Sequence, residues 1–147
     1  MNSIETQRQI REVLVANRVF NEFIRFIGSS ENESGGIIGS KNKNIIDVFY
    51  FDKGRRSDAN EYVPNVDDLQ QQIMLWDKTH INFRGIIHSH TVSDRLSPRD
   101  IQMARKILCI NNLSEILMPI YLIREQRVIW YEVRNDSVLY VNCHMIY

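Results

Sequence analysis

The sequence has few of the residues that cross-link, break or strongly charge a chain. It contains two cysteines, three prolines and six glycines in 147 residues, and its 18 basic side chains balance 18 acidic ones. Cys109 and Cys143 are too few and too far apart for a disulfide framework or a four-thiolate zinc site. A formal net charge of zero gives no bulk attraction to nucleic acid or to an anionic membrane. We therefore expect neither a disulfide-rich secreted protein nor a nucleic-acid-binding protein.

Long hydrophobic runs are also absent. Residues 103–110 and 116–123 are rich in apolar side chains, but each segment is too short or too interrupted to span a bilayer. The first residues show no basic segment followed by an apolar stretch, so no secretory signal is visible. We therefore expect a cytoplasmic location by default, with no membrane as partner.

The remaining composition is that of an ordinary globular protein. Hydrophobic residues make up 44% of the chain and charged residues 24%. A chain of this length can bury a sizeable core. No internal repeat, low-complexity tract or linker divides it, so we predict one domain over residues 1–147. The oligomeric state stays open.

The spacing of apolar residues predicts strands mixed with three helices. The first helix ends at Gly28, the second begins after Asn65 as its N-cap, and the third begins at Ser97. Their apolar faces consist of Val19, Phe20, Phe23, Ile24 and Ile27; of Val66, Leu69, Ile73 and Trp76; and of Ile101, Ala104 and Leu108. The predicted strands are residues 36–39, 44–51, 81–88, 116–123, 128–133 and 138–141, and residues 10–17 fit either a strand or the lead into the first helix.

The order of these elements favours the α+β class. Strands and helices do not alternate strictly, so a mixed sheet in a three-layer arrangement is favoured over a doubly wound fold. Residues 116–123 and 128–133 are expected to form a hairpin. Residues 52–61 are polar and charged and predict a surface loop, which is also a candidate flap over a site.

Two histidines separated by one residue are the strongest chemical signal. His88 and His90 follow the apolar run at residues 84–87. Side chains at i and i+2 of a strand point to the same side, so both imidazoles can reach one metal ion. Asp100 lies ten residues after His90, at the start of the third helix, and is the candidate third ligand. Two histidines and one carboxylate leave a fourth position open, as in catalytic zinc sites.

The segment around Asp100 also has an explanation that needs no metal. Ser97-Pro98-Arg99-Asp100 has the form of a capping box with proline at the first helical position. The two interpretations are compatible, because Ser97 can begin the helix while its hydroxyl faces a metal site. A hydroxyl there can stabilise an oxyanion.

A zinc hydrolase also needs a general base. Glu33 precedes the glycine-containing strand Gly35-Gly36-Ile37-Ile38-Gly39, where glycines allow another backbone to approach closely. A carboxylate at this strand start can lean over a metal held by a neighbouring strand. From position alone, Glu33 fits equally an exposed acid in a polar loop.

Taken together, these segments resemble the signature of the JAMM (MPN-plus) zinc metalloprotease family. The family pattern is a Glu before a glycine-containing strand, then His-x-His, then Ser-x-x-Asp after a short loop. Here these elements are Glu33, His88-Ser89-His90 and Ser97 to Asp100, in that order. The resemblance covers roughly residues 10 to 133 and implies a mixed, curved β-sheet flanked by helices, like that of cytidine deaminases.

The resemblance also implies roles for the site residues and a class of substrate. It implies His88, His90 and Asp100 as ligands of Zn²⁺, Glu33 as acid and base, and Ser97 as oxyanion stabiliser. The implied reaction is cleavage after the C-terminal Gly-Gly of a ubiquitin-like or sulfur-carrier protein. The small size is most similar to the stand-alone bacterial members, some of which serve anti-phage or mobile-element systems and remove ubiquitin-like conjugates.

Two departures from the family pattern concern the loop after the histidines. Six residues separate His90 from Ser97, one fewer than is usual, and Thr91 stands where a proline commonly follows the second histidine. A non-catalytic MPN-type interaction module therefore stays an alternative. A zinc hydrolase of another amide or of a phosphodiester shares the same metal chemistry and is a second alternative.

Overall fold

A computed structural model describes residues 6–30, 32–42, 44–55, 62–91 and 93–147, without the side chains of residues 6–11. Within these ranges the helices are α1 (Asn17–Glu22), which continues as a π-helical turn over Phe23–Ile27, α2 (Val66–Lys78) and α3 (Pro98–Ile110). The strands are β1 (Thr6–Ala16), β2 (Gly35–Ser40), β3 (Ile45–Ile46), β4 (Val48–Asp52), β5 (Asn82–His90), β6 (Glu115–Leu117), β7 (Ile120–Leu122), β8 (Arg127–Ile129), β9 (Tyr131–Arg134) and β10 (Val138–Ile146).

The strands form one mixed sheet in the order β3-β1-β10-β9-β6-β5-β2-β4. Strand β5 is antiparallel to β2 and parallel to both β6 and β7. Strand β7 also pairs with β8, outside the main order. Strand β5 therefore pairs with β6 near Gly85 and with β7 at the end that carries His88 and His90.

Helices cover both faces of this sheet. Ile37 and Ile86 pack with α2 and α3 in one core, whereas Ile38 and Ile87 pack with α1 and the π-helical turn in the other. Adjacent strand residues point to opposite faces, so the apolar runs in β2 and β5 supply both cores. The predicted α+β class with a mixed sheet flanked by helices is confirmed.

One glycine permits the close strand pairing beside the site. A Cβ added to Gly85 would lie 1.9 Å from the carbonyl oxygen of Leu117, an approach that no side chain tolerates. Gly85 pairs with Leu117 in the parallel register of β5 and β6. The absence of a side chain at residue 85 thus lets β6 pair with β5 just before the histidines.

Several element boundaries differ from the sequence prediction. The segment 44–51 forms two strands because the carboxylate of Asp47 turns back to accept hydrogen bonds from the backbone N–H groups of Lys41 and Asn42. Both arms of the predicted hairpin are divided, at Met118-Pro119 and at Trp130. Residues 10–17 belong mainly to a strand, β1, and the last strand extends to residue 146.

Two details of α2 were predicted wrongly. Asn65 occupies the N-cap position, but its side chain makes no capping hydrogen bond; its backbone N–H donates to Asp52 instead. Val66 is 44% exposed and lies outside the buried face formed by Leu69, Ile73 and Trp76. The predicted flap lies largely outside the described residues, since residues 56–61 are not among them. In the described part of the chain, each helix is too short or too polar to cross a membrane.

Candidate metal centre

Strand β5 carries both histidines to one point at its C-terminal end. The strand continues two residues beyond the predicted end, and its alternation places His88 and His90 on the same side. Their Nε2 atoms lie 2.9 Å apart, and the rings meet edge to face with centroids at 4.7 Å. His88 is buried, and His90 is partly exposed.

Helix α3 brings Asp100 to the same point. Its Oδ2 atom lies 3.2 Å from Nε2 of His88 and 3.3 Å from Nε2 of His90. The same oxygen accepts a hydrogen bond from the backbone N–H of Ser97, while Ser97 Oγ accepts one from the backbone N–H of Asp100. The capping box is therefore formed, and it holds the carboxylate that faces the imidazoles. The capping interpretation is confirmed, and the position of the carboxylate is compatible with the metal interpretation.

These three side chains fit a divalent metal ion. Zinc bonds of 2.0–2.1 Å to nitrogen, in tetrahedral geometry, separate two ligand atoms by about 3.3 Å. The three atoms of His88, His90 and Asp100 are 2.9–3.3 Å from one another, and together they form a group that could hold a metal ion among the described residues. The donor set, two imidazole nitrogens and one carboxylate oxygen, is one that zinc prefers.

The electrostatics of the group favour a bound cation. Burial raises the pKa of Asp100, but hydrogen bonds with His88 and His90 outweigh this effect and hold it well below its usual range. Burial also lowers the pKa of His90, and there the hydrogen bonds to Asp100 and to the Ser93 carbonyl outweigh it, so that the pKa is raised. An ionised carboxylate thus faces the imidazoles, an arrangement that favours a cation among them.

The outer nitrogens of the two imidazoles differ in their surroundings. Nδ1 of His90 lies 2.9 Å from the backbone carbonyl of Ser93. This contact leaves Nε2 of His90 for the shared centre, as in protein zinc sites whose histidines donate their other N–H to an acceptor. Nδ1 of His88 is buried and has no hydrogen-bond partner among the described residues.

Glu33 lies at the edge of the same cavity. Its Oε2 atom accepts a hydrogen bond of 3.1 Å from the backbone N–H of Thr91, directly after His90. Two hydrogen bonds fix the neighbouring backbone: Ser34 N–H donates to Ser89 Oγ, and Ser89 N–H donates to the Ser34 carbonyl. Glu33 therefore lies beside the end of β5 that carries the histidines, and its role as acid and base stays a prediction.

The cavity measures about 290 Å³ and is lined by Glu33, Tyr62, His88, His90, Thr91, Ser93, Ser97, Arg99 and Asp100. All five predicted site residues line it. The structure thus brings together two imidazoles, one ligating carboxylate, a second carboxylate and a hydroxyl in one shallow cleft.

Tyr62 is a site residue that the sequence did not reveal. Its ring lies nearly parallel to His88 with centroids 6.3 Å apart, and its hydroxyl donates to Asp52 Oδ2 at 2.7 Å. Burial, reinforced by the charge of Asp52, raises the pKa of Tyr62, so the phenol stays protonated. The one available signal was an aromatic residue at the end of an otherwise polar loop.

Comparison with solved structures identifies the fold. Protein DSY2949 from Desulfitobacterium hafniense matches 91% of this chain over 92% of its own, with a TM-score of 0.72 and 15% identity. AF2198, a JAB1/MPN domain protein from Archaeoglobus fulgidus, matches 90% of this chain over 98% of its own, with a TM-score of 0.51 and 12% identity. This chain has a JAB1/MPN-like fold.

At these identities the likeness establishes the JAB1/MPN-like fold and carries nothing about activity. Neither a protein-family model nor a curated protein matches the sequence. The resemblance seen in the sequence is therefore supported at the level of the fold. The group formed by His88, His90 and Asp100 supports metal binding independently of that likeness, because it follows from the geometry of this chain.

Proposed function

We propose that this protein is a zinc-dependent peptidase or isopeptidase of the JAMM type. The observation that carries the proposal is the convergence of His88, His90 and Asp100, with Glu33 on the rim of the same cleft. A structural zinc site would close the fourth position with another protein ligand, whereas a catalytic site keeps it open. The JAB1/MPN-like fold is consistent with this assignment.

In this proposal His88, His90 and Asp100 hold the ion. When bound, zinc supplies Lewis acidity and lowers the pKa of water toward about 7. Glu33 takes the proton from the attacking water and delivers it to the leaving amine, so that one carboxylate serves both proton transfers. The Thr91 N–H orients Glu33 for this work.

Ser97 stabilises the oxyanion. Its Oγ already accepts a hydrogen bond from the Asp100 N–H, so its own proton is available to a second acceptor in the cleft. A hydroxyl held by a helix cap is preorganised, which is what stabilisation of developing charge requires. Ser97 Oγ thus accepts a hydrogen bond in the helix cap and would donate one to the oxyanion.

The substrate we propose is a ubiquitin-like or sulfur-carrier protein with a Gly-Gly tail. A cleft of about 290 Å³, bounded by the Tyr62 ring on one side, has room for a short extended segment such as a Gly-Gly tail. An extended tail can gain backbone hydrogen bonds by lying along a strand edge. The similarity to small bacterial family members favours a deconjugase of a bacterial ubiquitin-like system, acting in the cytoplasm.

The proposal is tested by assaying the purified protein against fusions that end in Gly-Gly before a fluorescent amine, with and without a chelator. We expect one zinc ion per chain, cleavage after the second glycine, loss of cleavage with the chelator, and recovery on zinc addition. Fusions in which the tail is Ala-Ala are the matched control and should be cleaved much more slowly.

The alternatives give different results in the same experiment. A non-catalytic MPN-type module would cleave none of the fusions, even with zinc bound. A hydrolase of another bond would leave the fusions intact but hydrolyse a simple amide or a phosphodiester in a zinc-dependent way. Absence of stoichiometric zinc would overturn the metal site itself.

A further inference from the structure

Three residues on neighbouring strands lie in one row beside the candidate metal centre. Asp52 of β4 pairs with Gly35 of β2, and Gly35 pairs with His88 of β5. Paired residues on adjacent strands project their side chains from the same face of a sheet. Two strand spacings of about 4.8 Å therefore separate Asp52 from His88 on one face, and the glycine between them leaves that face open.

The Tyr62 side chain lies across this row. At one end its hydroxyl donates a hydrogen bond of 2.7 Å to Oδ2 of Asp52, and at the other its ring faces the His88 imidazole. A Cβ at residue 35 would lie 3.0 Å from Cε2 of Tyr62 and 2.2 Å from the Ile87 carbonyl oxygen, so the glycine makes room for the ring. The phenol thus bridges the row from the carboxylate to the edge of the cleft.

Asp52 holds both the hydroxyl of Tyr62 and the backbone that follows this residue. The Asp52 side chain is buried, and its Oδ2 accepts a hydrogen bond of 3.0 Å from the backbone N–H of Asn65 as well as the one from the Tyr62 hydroxyl. The Arg55 N–H donates to the Val63 carbonyl at 2.7 Å, which joins the two described ends of the segment between β4 and α2. Tyr62 is therefore fixed at its side chain and at its backbone.

The ring of Tyr62 supplies the one extended apolar surface among the described residues that line the cleft. The other lining residues are acids, histidines, hydroxyl-bearing residues and an arginine. The Tyr62 hydroxyl is engaged with Asp52, so it is not available to the reacting atoms. An apolar surface that touches the substrate equally before and during the reaction lowers KM and leaves kcat unchanged.

We propose that Tyr62 contacts the extended tail of the substrate, and that Asp52 is a positioning residue that holds the Tyr62 ring in the wall of the cleft. The contact with the tail rests on the proposed function, whereas the positioning of the ring does not. Glycines have no side chain, so the backbone of a Gly-Gly tail can lie directly against the ring.

The first test follows the position of the ring without any assay of activity. It measures the nuclear Overhauser effect between the Gly35 α protons and the ring protons of residue 62 in the metal-free proteins. Tyr50→Phe is the matched control for Tyr62→Phe, because Tyr50 lies on β4 and its hydroxyl donates to Asp68 at 2.9 Å, outside the cleft. We expect the effect in the wild-type protein and in the control, and a severalfold weaker effect in Tyr62→Phe. An equally strong effect in Tyr62→Phe would overturn the positioning role.

The second test measures the kinetics of the zinc-loaded proteins on the Gly-Gly fusions. Tyr62→Ala removes the apolar surface, and we expect KM to rise about tenfold or more with kcat nearly unchanged. Tyr62→Phe and Asp52→Asn keep the ring but weaken its anchor, and each should raise KM by about threefold. Tyr50→Phe should leave both constants unchanged. If Tyr62→Ala lowers kcat alone, or changes neither constant, the contact with the tail is refuted.

The third test separates this inference from the proposed function. A short synthetic peptide that ends in Gly-Gly is titrated into the zinc-loaded wild-type protein, and the resonances of the Tyr62 ring are followed. Shifts of these resonances without cleavage of any fusion would refute the proposed function and support the contact. Cleavage without such shifts would support the function and overturn the contact, and the absence of both would overturn both.

Discussion

The backbone N–H of Thr91 donates a hydrogen bond to Oε2 of Glu33 at 3.1 Å. A proline, which commonly stands at this position in the family that the sequence resembles, has no N–H to donate. This chain therefore holds its candidate general base through a contact that depends on the departure from the family pattern. The departure supports the arrangement of the site rather than weakening it.

Replacing Thr91 with proline should lower activity while zinc stays bound. The substitution removes the donor to Glu33, and a hydrogen bond to a charged group contributes about 1.5–3 kcal/mol. We expect kcat to fall by about tenfold or more, measured on Gly-Gly fusions with zinc content checked in parallel. Thr91→Ala keeps the N–H and should retain most of the activity. Equal loss in both variants would show that the Thr91 side chain, not its N–H, matters.

Replacing Glu33 with glutamine should separate metal binding from catalysis. Glutamine keeps the shape but cannot accept the proton of the attacking water, and general base catalysis contributes about 10²–10⁴-fold. We expect full zinc occupancy with kcat lowered by that factor. Glu125→Gln, in an exposed turn, serves as the control and should be fully active. A fully active Glu33→Gln variant would refute the assignment of the base.

Ser97 should contribute to both stability and catalysis. Ser97→Ala removes the N-cap of α3, which costs about 1 kcal/mol in the free energy of unfolding, measured by urea titration. It also removes the proposed oxyanion donor, which should lower kcat by about 10²–10³-fold. Ser97→Thr keeps the hydroxyl and should restore both. If Ser97→Ala lowers stability alone, the residue is a cap without a catalytic role.

The stabilisation by zinc should increase with pH. In the metal-free protein the raised pKa of His90 makes its protonated form stabilising, and this contribution is lost as pH rises through that pKa. Zinc requires the neutral ring and competes with the same proton. The difference in melting temperature with and without zinc should therefore grow between about pH 5.5 and about pH 8. A difference independent of pH would argue that His90 is not a ligand.

Much of the fold could be predicted because the apolar periodicity is strong. The runs around Ile37-Ile38 and Ile86-Ile87 supply both faces of a buried sheet, and their short length, their isoleucines and the glycines beside them favour strands. The breaks within the predicted strands, such as the one in segment 44–51, could not be predicted. The carboxylate of Asp47 binds backbone groups five and six residues earlier, and sequence pattern does not show such local competition with strand pairing.

In the candidate site, too, residues signalled by local patterns could be predicted, whereas those placed by tertiary packing could not. His88, His90, Asp100 and Ser97 could be predicted because strand alternation and helix capping are local rules. Tyr62 was missed because its contact with the site depends on tertiary packing. Its ring lies against His88, 26 residues later in the chain, and its hydroxyl binds Asp52, so no local pattern reveals it.

Oxygen Oδ2 of Asp100 accepts the hydrogen bond that begins α3 and also faces both imidazoles. Ion uptake at the proposed centre and ordering of the first turn of that helix would consequently be linked equilibria. With an ion bound as proposed, fraying of the first turn of α3 would displace one of its ligands and so weaken ion binding. Slow amide exchange in the first turn of α3 should therefore report occupancy of a centre to which those amides do not bind.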